Sequence, residues 1–202
     1  MKAIIPLLTA ACLAGCAINS HAPSNDLSKL EERPGAVTAG GESMTLLGPE
    51  VEVGRPAPDF TVVDDSFTPV RLSDFRGRPV LISAVPSLDT GVCSLQTRTF
   101  NERIASLPDE VAALTISMDL PFAQKRFCDV EGIDRLQVLS DFVDREFGAN
   151  YGLLIKDRGL LARAVFVIGP DGTLLYREVV GELGREPDYD TALAEIRRAC
   201  RP

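Results

Sequence analysis

The chain is poor in histidine. Its single one, His21, falls in a polar stretch near the N-terminus and reads as a solvated linker residue rather than a metal ligand or base. A Cys–His or Ser–His catalytic pair inside a folded domain is therefore not expected. Five cysteines are present, but no Cys-x-x-Cys. That argues against a thioredoxin-type dithiol motif and against a zinc ribbon. Positive charge is scarce: 21 Lys and Arg against 29 Asp and Glu leave a formal net charge of -8. Nothing here makes the basic footprint that nucleic acid requires, and charge alone would not bring the chain to an anionic membrane. No apolar run approaches the roughly 20 residues needed to cross a bilayer. No internal repeat is visible.

What remains is globular, 45% hydrophobic and 25% charged. The N-terminus reads Met1-Lys2, an apolar run from Ala3 to Leu13, then Ala14-Gly15-Cys16. One positive charge, a short apolar core and small residues make a secretory signal rather than a membrane span. Residues 16–35 carry Ser, Asn, Pro, Glu and Arg with little apolar periodicity, and are expected to be a flexible tether. Residues 36–202 are enough for one domain with a real core. Leu13-Ala14-Gly15-Cys16 resembles a bacterial lipobox. The resemblance implies that residues 1–15 are a lipoprotein-type signal peptide, that Cys12 leaves with it, and that Cys16 carries lipid. The protein would then be exported to the periplasmic side of the envelope and touch the membrane only through that lipid. Cys93, Cys128 and Cys200 are left in the domain. An odd number does not read as a disulfide scaffold, and one redox pair plus one bystander is the simpler account.

Along the domain, Ala36-Val37-Thr38, Gly40-Gly41 and Met44 to Leu47 predict a hairpin. Short strands follow at Phe60 to Val63 and Pro69 to Leu72. Val80 to Val85 is continuously apolar and suits a buried central strand. A helix is expected from Cys93 to about Leu107, a strand at Val111 to Ser117, and a helix opened by Pro121 that carries Cys128. Gln137 to Leu139 is strand-like and Asp144 to Phe147 a helical turn. Leu160 to Ile168 and Thr173 to Val180 read as two strands joined at Gly169-Pro170-Asp171-Gly172. Tyr189 to Cys200 reads as a polar-faced helix. Strands alternating with helices and closing on a hairpin fit an α/β domain with a mixed sheet.

The most informative run is Pro86-Ser87-Leu88-Asp89-Thr90-Gly91-Val92-Cys93. A strand that ends in a turn and then opens a helix puts Cys93 in the first helical turn. There the unpaired N–H groups and the positive dipole end stabilise a thiolate, the reactive form of cysteine. Thr90 stands where a helix cap is expected. Arg163 lies in an apolar strand, where an unpaired guanidinium would be costly to bury.

The Pro-x-x-x-Thr-x-x-Cys pattern resembles the active-site motif of peroxiredoxins. Asp119-Leu120-Pro121-Phe122-Ala123-Gln124-Lys125-Arg126-Phe127-Cys128 resembles the second-cysteine segment of the thiol peroxidase branch, the atypical two-cysteine members. Leu161 to Val167 resembles its arginine strand. The likeness runs from about Ala36 to Ala199. It implies a thioredoxin-like fold of peroxiredoxin type, with an N-terminal β-hairpin and a central mixed sheet flanked by helices. Cys93 would be the peroxidatic cysteine, with Thr90 offering its hydroxyl, Pro86 shielding the thiolate and Arg163 supplying fixed positive charge. Cys128 would resolve the sulfenic acid as an intramolecular disulfide, with no metal, haem or flavin. The implied partners are hydrogen peroxide and organic hydroperoxides, a thioredoxin-like dithiol reductant and a second copy in a homodimer. The same disulfide also admits an envelope redox sensor that oxidises once without turnover. A disulfide reductase or copper-handling lipoprotein on the same fold fits less well, for want of Cys-x-x-Cys and of histidine in the domain.

Overall fold

The computed structural model describes residues 26–201. The readings that fall on residues 1–25, the signal and Cys16 among them, lie outside the described residues. β1 (Glu32–Ala39) and β2 (Glu42–Leu47) form an antiparallel hairpin, with Ala39 opposite Glu42. Gly40 and Gly41 make its two-residue turn, both at positive φ (59° and 83°), the geometry that the twist of such a hairpin demands. Leu27–Lys29 form a short 3-10 turn, Leu27 and Leu30 pack on the core, and β1 starts at Glu32, so the C-terminal part of the expected tether belongs to the folded domain. Glu32 and Arg33 pair with Leu47 and Leu46, and backbone pairing on β2 overrides weak local propensity.

After the hairpin come β3 (Thr61–Val63), β4 (Pro69–Arg71), β5 (Val80–Ala84), α1 (Gly91–Arg103), β6 (Ala112–Ser117), α2 (Pro121–Glu131) and β7 (Gln137–Ser140). Then follow α3 (Glu146–Asn150), β8 (Leu154–Ile155), β9 (Leu160–Leu161), β10 (Ala164–Ile168), β11 (Leu174–Val179) and α4 (Tyr189–Ala199). The main sheet has seven strands in the order β11-β10-β5-β6-β7-β3-β4, and a smaller one runs β1-β2-β8-β9. β5, β6 and β7 are parallel, linked through α1 and α2, while β10 and β11 return antiparallel at one side.

Side chains on a strand alternate between faces, so the buried β5 and β10 serve two cores. Leu81, Val165 and Val167 face Phe100 and Ile104 at the α1 end and Leu193 and Ile196 of α4. Val80, Ile82, Ala164 and Phe166 face the hairpin and an aromatic group of Phe60, Phe147 and Tyr151. The helical core also receives Phe127 and Cys128 from α2. α1 and α2 therefore lie over the same face, side by side at the ends of parallel strands.

The single strand expected from Leu160 to Ile168 is two strands in different sheets. Leu160 and Leu161 pair with Ile155 and Leu154 in the small sheet; Ala164 onward pairs with β5 in the main one. The chain changes sheets at Ala162-Arg163. Apolar pattern alone does not distinguish one long buried strand from two short ones. This break is what frees the Arg163 side chain from the alternation of a continuous strand.

Candidate active site

Cys93 is the third residue of α1 and 1% exposed. Val85 and Leu88 pack on it, and Phe127 of α2 and Val138 of β7 close over the same cluster. Thr90 is the N-cap residue, with extended backbone angles, but its side chain makes no capping bond. Its hydroxyl instead donates to the Ser87 carbonyl at 3.1 Å, beside the Thr90 N–H, which reaches the same carbonyl at 3.2 Å. The first-turn N–H groups are therefore left without a side-chain cap, at the positive end of the helix. Thr90 turns its proton toward Ser87, so its oxygen lone pairs are the part left for a ligand. Pro86 is buried in the loop between β5 and α1.

Arg163 is the largest fully buried side chain of the described residues, 2% exposed. Its Nη2 donates to Cys93 Sγ at 3.2 Å and to the Leu183 carbonyl at 2.9 Å. Nε donates to the same carbonyl at 3.1 Å, and Nη1 to Gln96 Oε1 at 2.5 Å. Among the described residues no carboxylate forms an ion pair with it. A buried charge without a counter-charge is strongly unfavourable. Of its three hydrogen-bond partners, the Leu183 carbonyl, the Gln96 amide and Cys93, only the sulfur can become an anion.

Gln96 was not singled out from sequence. It lies three residues after Cys93, on the same helical face, and its Nε2 donates to Ser83 Oγ at 2.7 Å in the middle of β5. Both residues are fully buried. A polar pair inside an otherwise apolar strand and helix face was the available signal. The Leu183 carbonyl left none, because a backbone group carries no sequence mark. The hairpin holds it: Leu183 N–H donates to the Thr38 carbonyl at 2.8 Å.

Cys128 lies toward the C-terminal end of α2, half-buried. Cys93, Cys128 and Cys200 are all free thiols. Phe127 packs on the Cys93 cluster, while Cys128 packs against the helical core and lines a shallow cavity of about 260 Å³ with Asp65, Gln124 and Asp129. Burial pushes its thiol up to about 11, and the Asp129 and Asp65 carboxylates add to the effect. Cys200 caps the end of α4, its Sγ 3.1 Å from the Ile196 carbonyl. Of the five sequence-expected residues, the fold thus joins Cys93 and Arg163 directly and places Thr90 and Pro86 in the adjoining loop. Cys128 stands apart on the next helix.

A cysteine at a helix start, hydrogen-bonded by a buried arginine above a mixed sheet, defines a thiol-based redox protein on a thioredoxin-like fold. The profile of the family described as Redoxin matches residues 52–193. The thiol peroxidase of Halalkalibacterium halodurans is 50% identical over 164 residues, covering 81% of this chain and 98% of that protein. The thiol peroxidase of Bacillus subtilis is 49% identical over 154 residues, covering 76% and 92%. Among solved structures, a peroxiredoxin-like protein from Aquifex aeolicus superposes with a TM-score of 0.77 at 39% identity, over 84% of this chain and 98% of that one. The chain belongs to the Redoxin family, in its thiol peroxidase branch.

Proposed function

We propose that this protein reduces hydrogen peroxide and organic hydroperoxides, with Cys93 as the peroxidatic thiolate and Cys128 as its resolving partner. The observation that carries the reading is the buried Arg163, which has no carboxylate partner and one N–H 3.2 Å from Cys93 Sγ. A thiolate is the counter-ion this site lacks. It attacks one oxygen of the hydroperoxide: an S–O bond forms, the O–O bond breaks, and the other oxygen leaves and takes up a proton. Thiol and hydroperoxide thus become sulfenic acid and alcohol, or water from hydrogen peroxide. Charge builds on both oxygens as the bond breaks. The Arg163 guanidinium and the N–H groups of Val92 and Cys93 are preformed donors at that end of the helix. Thr90 Oγ, its own proton committed to Ser87, accepts from the O–H of the incoming hydroperoxide. Buried Pro86 keeps bulk water from the sulfur.

Cys128 then attacks the Cys93 sulfur, an S–S bond forms and water leaves. Cys93 is closed over by Phe127 and Val138, and Cys128 packs elsewhere, so turns of both helices must unwind first. A dithiol protein of thioredoxin type exchanges the disulfide for two thiols and closes the cycle. These steps balance with no metal, haem or flavin. The pattern of residues 1–16 supports export to the periplasmic side, with lipid on Cys16 and a tether running from it to the folded domain. The homodimer rests on the family resemblance.

The test is intact mass followed by peptide mapping of the reduced protein after one equivalent of peroxide. Loss of two hydrogens with a Cys93–Cys128 linked peptide is the expected result. Oxygen adducts without that link would remove Cys128 from the cycle, and an unreacted Cys93 would overturn the proposal. Steady-state turnover with a dithiol donor is expected; a single stoichiometric oxidation would instead favour the sensor.

A further inference from the structure

Asp119 stands in the turn between β6 and α2, and its carboxylate reaches across to the loop that precedes α1. Oδ1 accepts from the Ser87 hydroxyl at 2.7 Å and Oδ2 from the Leu88 N–H at 2.7 Å. Ser87 is the residue whose carbonyl takes both the N–H and the hydroxyl of Thr90. Leu88 packs on Cys93 itself. On its other side, Oδ2 accepts from the Ser117 hydroxyl at 2.7 Å, and Ser117 Oγ accepts from the Gln124 side-chain amide at 3.0 Å. Gln124 is buried and lies one turn ahead of Cys128 on the same face of α2. Its amide also donates to the Leu139 carbonyl at 2.8 Å, and the Asp119 carbonyl accepts from the Ser140 hydroxyl at 2.5 Å. One side chain therefore ties the loop of Thr90 to the root of the helix that carries Cys128. Hydrogen bonds to an ionised carboxylate are roughly twice as strong as neutral ones.

The far ends of α1 and α2 are joined separately. Arg98 pairs with Glu131 at 2.7 Å, and Asn101 holds the Gly132 carbonyl and the Arg135 N–H. The two helices thus have two fastenings, one at each end, and the one beside the reacting sulfur is Asp119.

We propose that Asp119 is a positioning residue that acts as a clasp: closed, it holds the Ser87–Thr90 loop and the start of α2 in the form that meets peroxide; opened, it releases both for disulfide formation. The inference rests on the two-cysteine reading above. Peroxide attack needs the clasp closed, because Thr90 and the first turn of α1 hang from Ser87 and Leu88. The S–S bond needs it open, because Phe127 and Leu88 otherwise cover Cys93. While it stays closed after the first oxidation, the sulfenic acid can meet a second hydroperoxide. The sulfur then takes one more oxygen, the O–O bond breaks, alcohol leaves and a sulfinic acid results. Loosening the clasp therefore moves the two steps in opposite directions and shortens exposure to that side reaction.

The experiment is rapid-mixing kinetics with mass-spectrometric quench on the full protein and on Asp119→Asn and Ser87→Ala. Asp119→Asn keeps the size and removes the charge that its three donors share. The expected result is a several-fold slower oxidation of Cys93, a several-fold faster conversion of sulfenic acid to disulfide, and a smaller sulfinic fraction at equal peroxide excess. Ser87→Ala removes one of the three donors to Asp119 and should shift both rates in the same directions by less; it carries the test if Asp119→Asn does not fold. Folded variants in which both rates are unchanged, or fall together, overturn the clasp. If the unaltered protein forms no Cys93–Cys128 disulfide, the two-cysteine reading fails and takes the clasp with it. If it forms one and the variants match its rate, the clasp alone fails.

Discussion

Cys93 and Cys128 lie on neighbouring helices over one face of the main sheet, yet their surroundings are opposite in charge. Cys93 is sealed under apolar side chains and touched by a guanidinium whose other donors are fixed by Leu183 and Gln96. Cys128 is half-open to solvent beside Asp65 and Asp129, and its thiol is held up at about 11. The first environment surrounds a sulfur with apolar packing and one fixed guanidinium donor. The second favours the protonated thiol, through burial and the neighbouring carboxylates. The same residue type thus stands in two environments that differ in burial and in the sign of the nearest charges.

The largest effect should come from exchanging each sulfur for oxygen. Cys93→Ser is expected to bring peroxide consumption to the uncatalysed level. Cys128→Ser should consume one equivalent and stop as sulfenic acid, readable by mass. Equal loss in both variants, or turnover in Cys93→Ser, would erase the contrast. Next is Arg163→Lys. An ammonium cannot reach Leu183, Gln96 and Cys93 at once as the planar fork does, and the rate constant of Cys93 with peroxide should fall about 100-fold. The disulfide-forming step, measured from preformed sulfenic acid, should fall far less.

The pH profile sharpens the other half of the comparison. If α2 unwinds before Cys128 ionises, the disulfide step should rise about 20-fold between pH 7 and 9 and level off near the free-thiol value of ~8.5. A rise continuing through pH 10 would mean that ionisation occurs inside the folded helix. In the folded helix the thiol keeps its proton to higher pH than when unwound. Its contribution to α2 is therefore complete below pH ~8.5 and is lost as pH rises toward about 11. The smallest effect is Gln96→Leu, which leaves Arg163 Nη1 without its acceptor. A roughly tenfold slower reaction with peroxide is expected, with the disulfide step unchanged. A loss in both steps would make Gln96 a support of α1 as a whole.

The strands and helices that carry the cysteines were legible because their signals are local. Val80 to Val85 is short, apolar and rich in β-branched residues, as a buried strand is, Pro121 opens α2, and Gly40-Gly41 suits a tight hairpin turn. Three features were not legible. β1 begins at Glu32 through pairing with β2. The break at Ala162-Arg163 follows from two sheets competing for one apolar run. The hydroxyl of Thr90 turns to Ser87 instead of capping α1, because the loop folds back on itself. Of the site, Cys93, Arg163 and the Pro86-to-Thr90 loop were visible as residues, whereas Gln96, Ser83 and Asp119 were hidden among ordinary polar positions.

By itself the sequence determined that one cysteine opens a helix after a buried strand, that a second rides a later helix, and that an arginine sits within apolar surroundings. Those are properties of neighbouring residues and of period. Only the tertiary structure decided that the arginine lies 3.2 Å from one sulfur and not the other, that the Leu183 carbonyl orients it, and that Asp119 bridges the two helix starts. Each of these joins residues far apart in the chain. Their meeting is fixed by strand order, by the change of sheet at Arg163 and by the need of every buried polar group for a partner.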